Sequence, residues 1–143
     1  KRPTHLKLKI NQQLFRYSFT YLILRLANII RLKLMNVLRT SSPKNAEVNI
    51  QSEGVQIYAP HGSFVIFTHK FIKKNNKFNY PVFLFGEEIY VAEKSREYNL
   101  DVIYLPDLVV FDDEHVSTSL MRPEIYRSYN YKALSYILRH FYF

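Results

Sequence analysis

The sequence of 143 residues contains no cysteine and only three glycines. Without cysteine, disulfide bonds and thiolate metal sites are excluded. The glycines are Gly54, Gly62 and Gly86, fewer than a complete nucleotide-binding domain usually carries, because phosphate groups need close approach of the backbone. We therefore expect the chain to be a fragment of a longer protein.

Long uncharged stretches are also missing from the apolar segment over residues 10–39. Its longest uncharged run, YSFTYLIL, has eight residues, whereas a membrane-spanning helix needs roughly 20. Apolar residues recur near helical spacing and predict a long basic helix or a helix pair. Two interpretations stay open: a core helix whose arginines face water, or a basic amphipathic helix that lies on an anionic bilayer.

The overall composition is that of a globular domain with a basic surface. Hydrophobic residues make up 48% and charged residues 22%, with a formal net charge of +8. Such a charge favours nucleic acid, an anionic membrane or a phosphorylated small molecule, or serves solubility alone. Lysine and arginine follow no nucleic-acid-binding motif, so we expect no nucleic-acid partner.

The order of patterns along the chain predicts two parts. Residues 1–54 read as the basic helical segment and a polar linker, and residues 55–143 as an α/β unit. In the second part, the β-branched and aromatic runs SFVIF, DVIYLP and LVVF predict strands. A charged helical pattern covers about residues 87–98, and the aromatic tail EIYRSYNYKALSYILRHFYF predicts a C-terminal helix.

Residues 57–119 carry a family resemblance in the order of these patterns. The turn and strand GSFVIF are followed by FLFGEE, a helix, VIYLPDLVVF and the stretch DDEHVSTS. This order resembles the C-terminal, acceptor-side half of family 2 glycosyltransferases, which have the GT-A fold, in their bacterial polysaccharide- or capsule-building type. The resemblance implies the C-terminal part of a GT-A-like sheet flanked by helices.

The resemblance also implies a reaction. It is inverting sugar transfer from a nucleotide-sugar to a hydroxyl of a glycan or lipid-linked acceptor, in surface polysaccharide synthesis. The family's Asp-x-Asp motif, which binds a divalent metal, is missing from the sequence. We therefore expect that the nucleotide-binding half is absent, that this half is inactive alone, and that Mn²⁺ or Mg²⁺ belongs to the full enzyme.

Adjacent glutamates at the start of the predicted helix are the candidate catalytic residues. Such a transfer needs a carboxylate that takes the proton of the attacking hydroxyl, and an apolar pocket with a neighbouring charge tunes its pKa. The resemblance implies that Glu88 is this base and that Glu87 positions the acceptor. The alternative is that both acids only stabilise the N-terminus of a helix.

Two further groups are candidates through the resemblance. His61, Gly62 and Ser63, together with Gly86, would form the floor of the donor and acceptor cleft; the alternative for the first three is an ordinary turn. His115 and Asp112 would contribute to a metal site, since one histidine with oxygen ligands suits Mn²⁺ or Mg²⁺. The alternative for the histidine is a surface position.

A second functional hypothesis needs no catalysis. The chain would be a membrane-surface or partner-binding module that uses the basic helical segment and the aromatic tail. Both hypotheses fit a cytoplasmic protein, and the second places it on the inner face of the membrane. Apolar surface that the absent half leaves exposed would favour a homo-oligomer.

Overall fold

The computed structural model describes residues 1–38, 54–62, 64–76, 78–111 and 121–142. In chain order its elements are α1 (His5–Arg16), α2 (Ser18–Leu38), β1 (Val55–Ile57), α3 (His69–Asn75), α4 (Glu87–Glu97), β2 (Val102–Tyr104) and α5 (Pro123–Phe141). Most of the predicted linker over residues 40–54 lies outside the described residues.

The prediction of an α/β fold with a GT-A-like sheet is wrong. The described residues are mostly helical, and their sheet consists of two three-residue strands. Strands β1 and β2 pair antiparallel, with Val55 opposite Tyr104 and Ile57 opposite Val102. A ladder of this size cannot form the layer on which helices pack in an α/β protein.

Two of the predicted strands, residues 64–67 and 108–111, form no strand. β-Branched and aromatic residues favour a strand only where a neighbouring strand can pair with it. Instead, the Phe67 ring stacks on Phe71 of α3 with centroids 5.0 Å apart. The backbone amide of Leu108 donates to the carbonyl of Leu105 over 3.2 Å, which closes a turn directly before the second segment.

The N-terminal segment forms a pair of helices, one of the two alternatives that the sequence left open. The Thr4 side chain caps α1, so the pair begins before residue 10. Tyr17 separates the helices because its backbone is extended, with φ −111° and ψ 138°. Arg127 Nη1 donates to the carbonyls of Phe15 and Arg16 over 3.0 and 2.8 Å, which satisfies the free end of α1.

The core lies around α5, which packs against α1 and also contacts α4 and α2. Ile137 at its centre is fully buried, with 0% exposure. The buried cluster contains Leu8, Phe71, Tyr90, Val91, Ile137 and Tyr142. Aromatic rings fill much of the space around it, and the Tyr80 and Tyr90 centroids lie 5.0 Å apart. The aromatic content of the chain therefore serves packing in this region.

Candidate functional site

The predicted catalytic pair begins α4, directly after a left-handed glycine. Gly86 has φ +79°, and a Cβ there would lie 2.5 Å from the Tyr80 hydroxyl and 3.1 Å from the Ala133 Cβ. Glycine is thus required both by conformation and by space. Glu87 and Glu88 occupy the first turn of the helix, where the macrodipole favours negative charge.

The structure brings two predicted site residues into direct contact. The backbone amide of Gly62 donates a hydrogen bond of 2.7 Å to Glu88 Oε1. A Cβ at Gly62 would lie 2.9 Å from that same oxygen, so the glycine permits this approach. The contact ties the start of α4 to the turn after β1. A carboxylate held by a backbone amide serves as a tether here, and a role as catalytic base stays a prediction.

Glu87 points into the protein. Its Oε2 atom is buried and has no hydrogen-bond partner in the described part of the chain. Burial and the negative charge of Glu87 raise the pKa of the Tyr80 hydroxyl, which donates to the Phe85 carbonyl over 2.6 Å. The role of Glu87 in positioning an acceptor stays a prediction.

The remaining predicted site residues divide into two sets. His61 lines an apolar cleft that is described below. Ser63, Asp112 and His115 lie outside the described residues. Within the described ranges, no group of three or more histidine, aspartate or glutamate side chains could hold a metal ion. The predicted metal site stays a prediction.

Sequence analysis missed Glu93, which is 3% exposed and anchors both chain ends. Arg2 donates to its two carboxylate oxygens over 2.8 and 3.0 Å. The hydroxyls of Tyr58 and Tyr142 donate to Oε1 over 2.7 and 3.3 Å. Arg96 lies 3.3 Å from the second oxygen. The charge is therefore paired and its lone pairs are used, as a buried carboxylate requires.

These contacts set the titration of the cluster. Burial raises the pKa of Glu93, but hydrogen bonds from Arg2 and Tyr58 and the charges of Arg2 and Arg96 lower it more, so it falls below its ordinary value of 4.5. Burial and the Tyr142 and Glu93 hydrogen bonds raise the pKa of Tyr58. Glu93 stays ionised in its buried position, which fits a structural anchor rather than an acid or base.

Helix α2 projects from the rest of the described structure. Every residue from 22 to 35 is exposed, although most of them are apolar. Ten large apolar side chains of α2 are exposed. At 100° per residue, five of them fall within a sector of about 80° and the other five fall outside it. We call the first five the α2 stripe: Phe19, Ile23, Leu26, Ile30 and Leu34, which are 72%, 50%, 52%, 58% and 56% exposed.

Cations border the α2 stripe. In the same helical projection, Arg31 and Lys33 fall on either side of it, each about 80° from its Ile23 direction, and Arg25 falls roughly opposite. No aspartate or glutamate occurs among the first 46 residues, which contain ten of the 20 lysines and arginines. This acid-free segment is the sequence signal that could have marked the surface.

Helix α2 does not meet the requirements of a membrane span. No helix among the described residues is long and apolar enough to cross a bilayer. A contiguous apolar surface on a projecting helix nevertheless marks an interaction surface. The stripe with its flanking cations is therefore the strongest candidate site on the N-terminal helices.

A second surface is a cleft of about 620 Å³ between the sheet, α3 and α4. Its lining includes Ile57 of β1, Phe71 of α3, Val91 of α4 and Val102 of β2. The volume falls within the range of small-molecule sites. No sequence pattern indicated this cleft, because its walls come from segments far apart in the chain.

Comparisons with known proteins give no family for this chain. No protein-family model matches it, and neither a curated protein nor a solved structure is significantly similar. The resemblance to family 2 glycosyltransferases stays a prediction that none of these comparisons tests, and the sheet that it implies is not found in the described residues.

Proposed function

We propose that this chain is a non-catalytic module that binds an anionic membrane surface through the α2 stripe and the cations beside it. The observation that carries the proposal is the exposed apolar stripe on a helix with three cations and no acid. An interfacial helix needs these two components, because apolar side chains enter the headgroup boundary while cations contact anionic lipids.

The arrangement of α2 suits a helix that lies in the plane of the surface. The stripe is about 80° wide at 100° per residue, and the helix of 21 residues is roughly 30 Å long. Arg31 and Lys33 have long stems that let their charged ends reach outward while the stems cover apolar surface. Both cations can therefore contact headgroups while the stripe enters the bilayer.

A second copy of this chain would be a poorer cover for the stripe. Two α2 helices that pack through it would bring six cations and no acid into the pair. Like charges at such an interface oppose association. An anionic surface instead gains from each cation by about 1 kcal/mol.

Vesicle flotation of the whole chain tests the proposal. We expect binding to vesicles of phosphatidylglycerol and phosphatidylcholine in equal amounts, weakened by added salt, and little binding to phosphatidylcholine alone. The double variant Arg31→Gln/Lys33→Gln should bind about 30-fold more weakly, since two cations contribute about 2 kcal/mol. The matched control Lys70→Gln/Lys73→Gln, which removes the same charge from α3, should bind nearly as the parent does.

A second pair of variants tests the apolar component. Ile30 in the α2 stripe and Ile72 in α3 are both 58% exposed. Aspartate at position 30 should abolish flotation, whereas aspartate at position 72 should leave it unchanged, because only the first would place a carboxylate in the bilayer. Equal losses in the two variants, or binding that ignores lipid charge, would contradict the proposal. So would a dimer that is disrupted by Ile30→Asp in a chain that does not float.

A further inference from the structure

The cleft between the sheet, α3 and α4 lies apart from the helices assigned above to membrane binding. None of its described lining residues belongs to α1 or α2. An inference about the cleft therefore stands independently of the proposed function. The buried side of its lining includes Phe71 and Val91, which are 5% and 6% exposed, so the cleft reaches the core.

Most of the lining side chains are aliphatic or aromatic, and the polar ones include His61, Thr68, Ser95 and Asp101. Asp101 is the single lysine, arginine, aspartate or glutamate among the described lining residues. Its carboxylate accepts a hydrogen bond from the side-chain amide of Gln56. Thr68 also has an internal partner, since its hydroxyl accepts from the backbone amide of Phe71 over 3.4 Å. Both groups therefore already have a hydrogen-bond partner within the chain.

Non-helical segments form much of the cleft wall. Residues 100–105 contribute six consecutive lining residues, and residues 64–68 contribute five more, none of them helical. An extended segment rises about 3.3 Å per residue, so the first wall is roughly 17 Å long. Branched aliphatic side chains along a wall of this length leave a channel that suits a narrow, flexible apolar group.

We infer that this cleft binds one acyl chain of a lipid. The volume of about 620 Å³ is sufficient for a drug-sized ligand, and the lining offers apolar contact without unsatisfied charge. The same chemistry is presented by a free fatty acid and by a phospholipid whose chain leaves the bilayer. A planar polar ligand, such as a nucleotide, would find few groups with which to hydrogen-bond there.

Titration of the whole chain with the fluorescent fatty acid cis-parinaric acid tests the inference. We expect saturable binding of one probe per chain, with emission that rises as the probe enters an apolar site. Oleate should displace it, whereas butyrate, whose chain is too short to fill the cleft, should not. Displacement by monomeric lysophosphatidylcholine as well would assign the acyl chain to a membrane lipid, and displacement by oleate alone would assign it to a free fatty acid.

Three neighbouring positions supply matched variants. Leu108 and Val110 line the cleft and are each 47% exposed, whereas Val109 between them is 69% exposed and does not line it. Leu108→Asp should raise the dissociation constant at least tenfold, because it places a charge against the acyl chain. Val109→Asp introduces the same charge outside the cleft and should change the constant less than twofold. If Leu108→Asp unfolds the chain, Leu108→Trp fills the cleft without charge and should weaken binding likewise.

Three results would overturn the inference. They are the absence of saturable binding, equal weakening by Val109→Asp and Leu108→Asp, and unchanged binding in a folded Leu108→Trp variant. The Arg31→Gln/Lys33→Gln variant should keep its affinity for the probe while it loses vesicle binding. This contrast separates failure of the cleft assignment from failure of the membrane-binding proposal.

Discussion

Helices α2 and α5 are of similar length, with 21 and 19 residues, and both carry many large apolar side chains. In α5, Ala133 and Ile137 are 1% and 0% exposed because α1 and α4 cover them. In α2, residues 22–35 are all exposed. Apolar side chains thus form part of the core in one helix and an open surface in the other.

The two helices also differ in the kind and position of their charged side chains. Helix α5 begins with Glu124 and ends with Arg139 and His140, the order that its macrodipole favours. Helix α2 has Arg25, Arg31 and Lys33 and no acid. Helix α5 therefore carries charges that match its own ends, whereas α2 carries only cations, none of them in its first or last turn.

The largest expected effect is on the free energy of unfolding, from a substitution in the buried helix α5. Ile137→Ala removes a fully buried side chain from the packed centre of α5. We expect the free energy of unfolding to fall by about 3 kcal/mol, from lost burial and the cavity that remains. Urea denaturation followed by circular dichroism measures it. A loss below about 1 kcal/mol would show that α5 is not the centre of the core.

The second-largest expected effect is on stability, from a substitution of the buried Glu93 carboxylate. Glu93→Gln keeps the shape but removes the charge that Arg2 contacts through two hydrogen bonds, so we expect a loss of about 2 kcal/mol. Glu97→Gln in the same helix removes a pair with Lys94 in which the Glu97 side chain is 45% exposed, and it should cost less than about 0.5 kcal/mol. Equal losses would mean that burial does not distinguish the two acids.

The difference in stability between the parent and Glu93→Gln should depend on pH. The pKa of Glu93 in the folded chain lies below its ordinary value of 4.5, so the carboxylate contributes stability above that value. This contribution disappears as pH falls through the lower folded pKa. The difference in unfolding free energy between the parent and Glu93→Gln should therefore be constant near neutral pH and shrink below about pH 4.5. A difference that grew on acidification would contradict the anchor.

Local features of the sequence predicted the local elements. Two acids directly after Gly86, followed by a charged helical pattern, indicate the start of α4, and the structure begins that helix at Glu87. Strand propensity at residues 64–67 indicated a strand that does not form, since propensity does not supply a partner. A helix that depends on residues close together in the sequence could therefore be predicted, whereas the pairing of strands could not.

The site contacts were less accessible because they join distant parts of the chain. Glu93 is separated from Arg2 by 91 residues and from Tyr142 by 49. Nothing in the periodicity of α4 distinguishes it from an exposed glutamate. Glu88 accepts a hydrogen bond from the backbone amide of Gly62, 26 residues away, which holds the turn after β1 against α4. This hydrogen bond is a structural contact, and the role of Glu88 as a catalytic base stays a prediction.

The smallest expected effect on the free energy of unfolding comes from a substitution in the exposed helix α2. Ile30→Ala shortens a side chain that is 58% exposed on α2, so the free energy of unfolding in solution should change by less than about 0.5 kcal/mol. The same variant should bind anionic vesicles several-fold more weakly, because the lost methylene groups no longer enter the bilayer. Ile137→Ala should show the reverse pattern as long as it stays folded, with a large loss of stability and little change in vesicle affinity. If Ile30→Ala instead destabilised the isolated chain by more than about 1 kcal/mol, α2 would be covered in solution. The two helices would then both be buried and would differ only in what covers them.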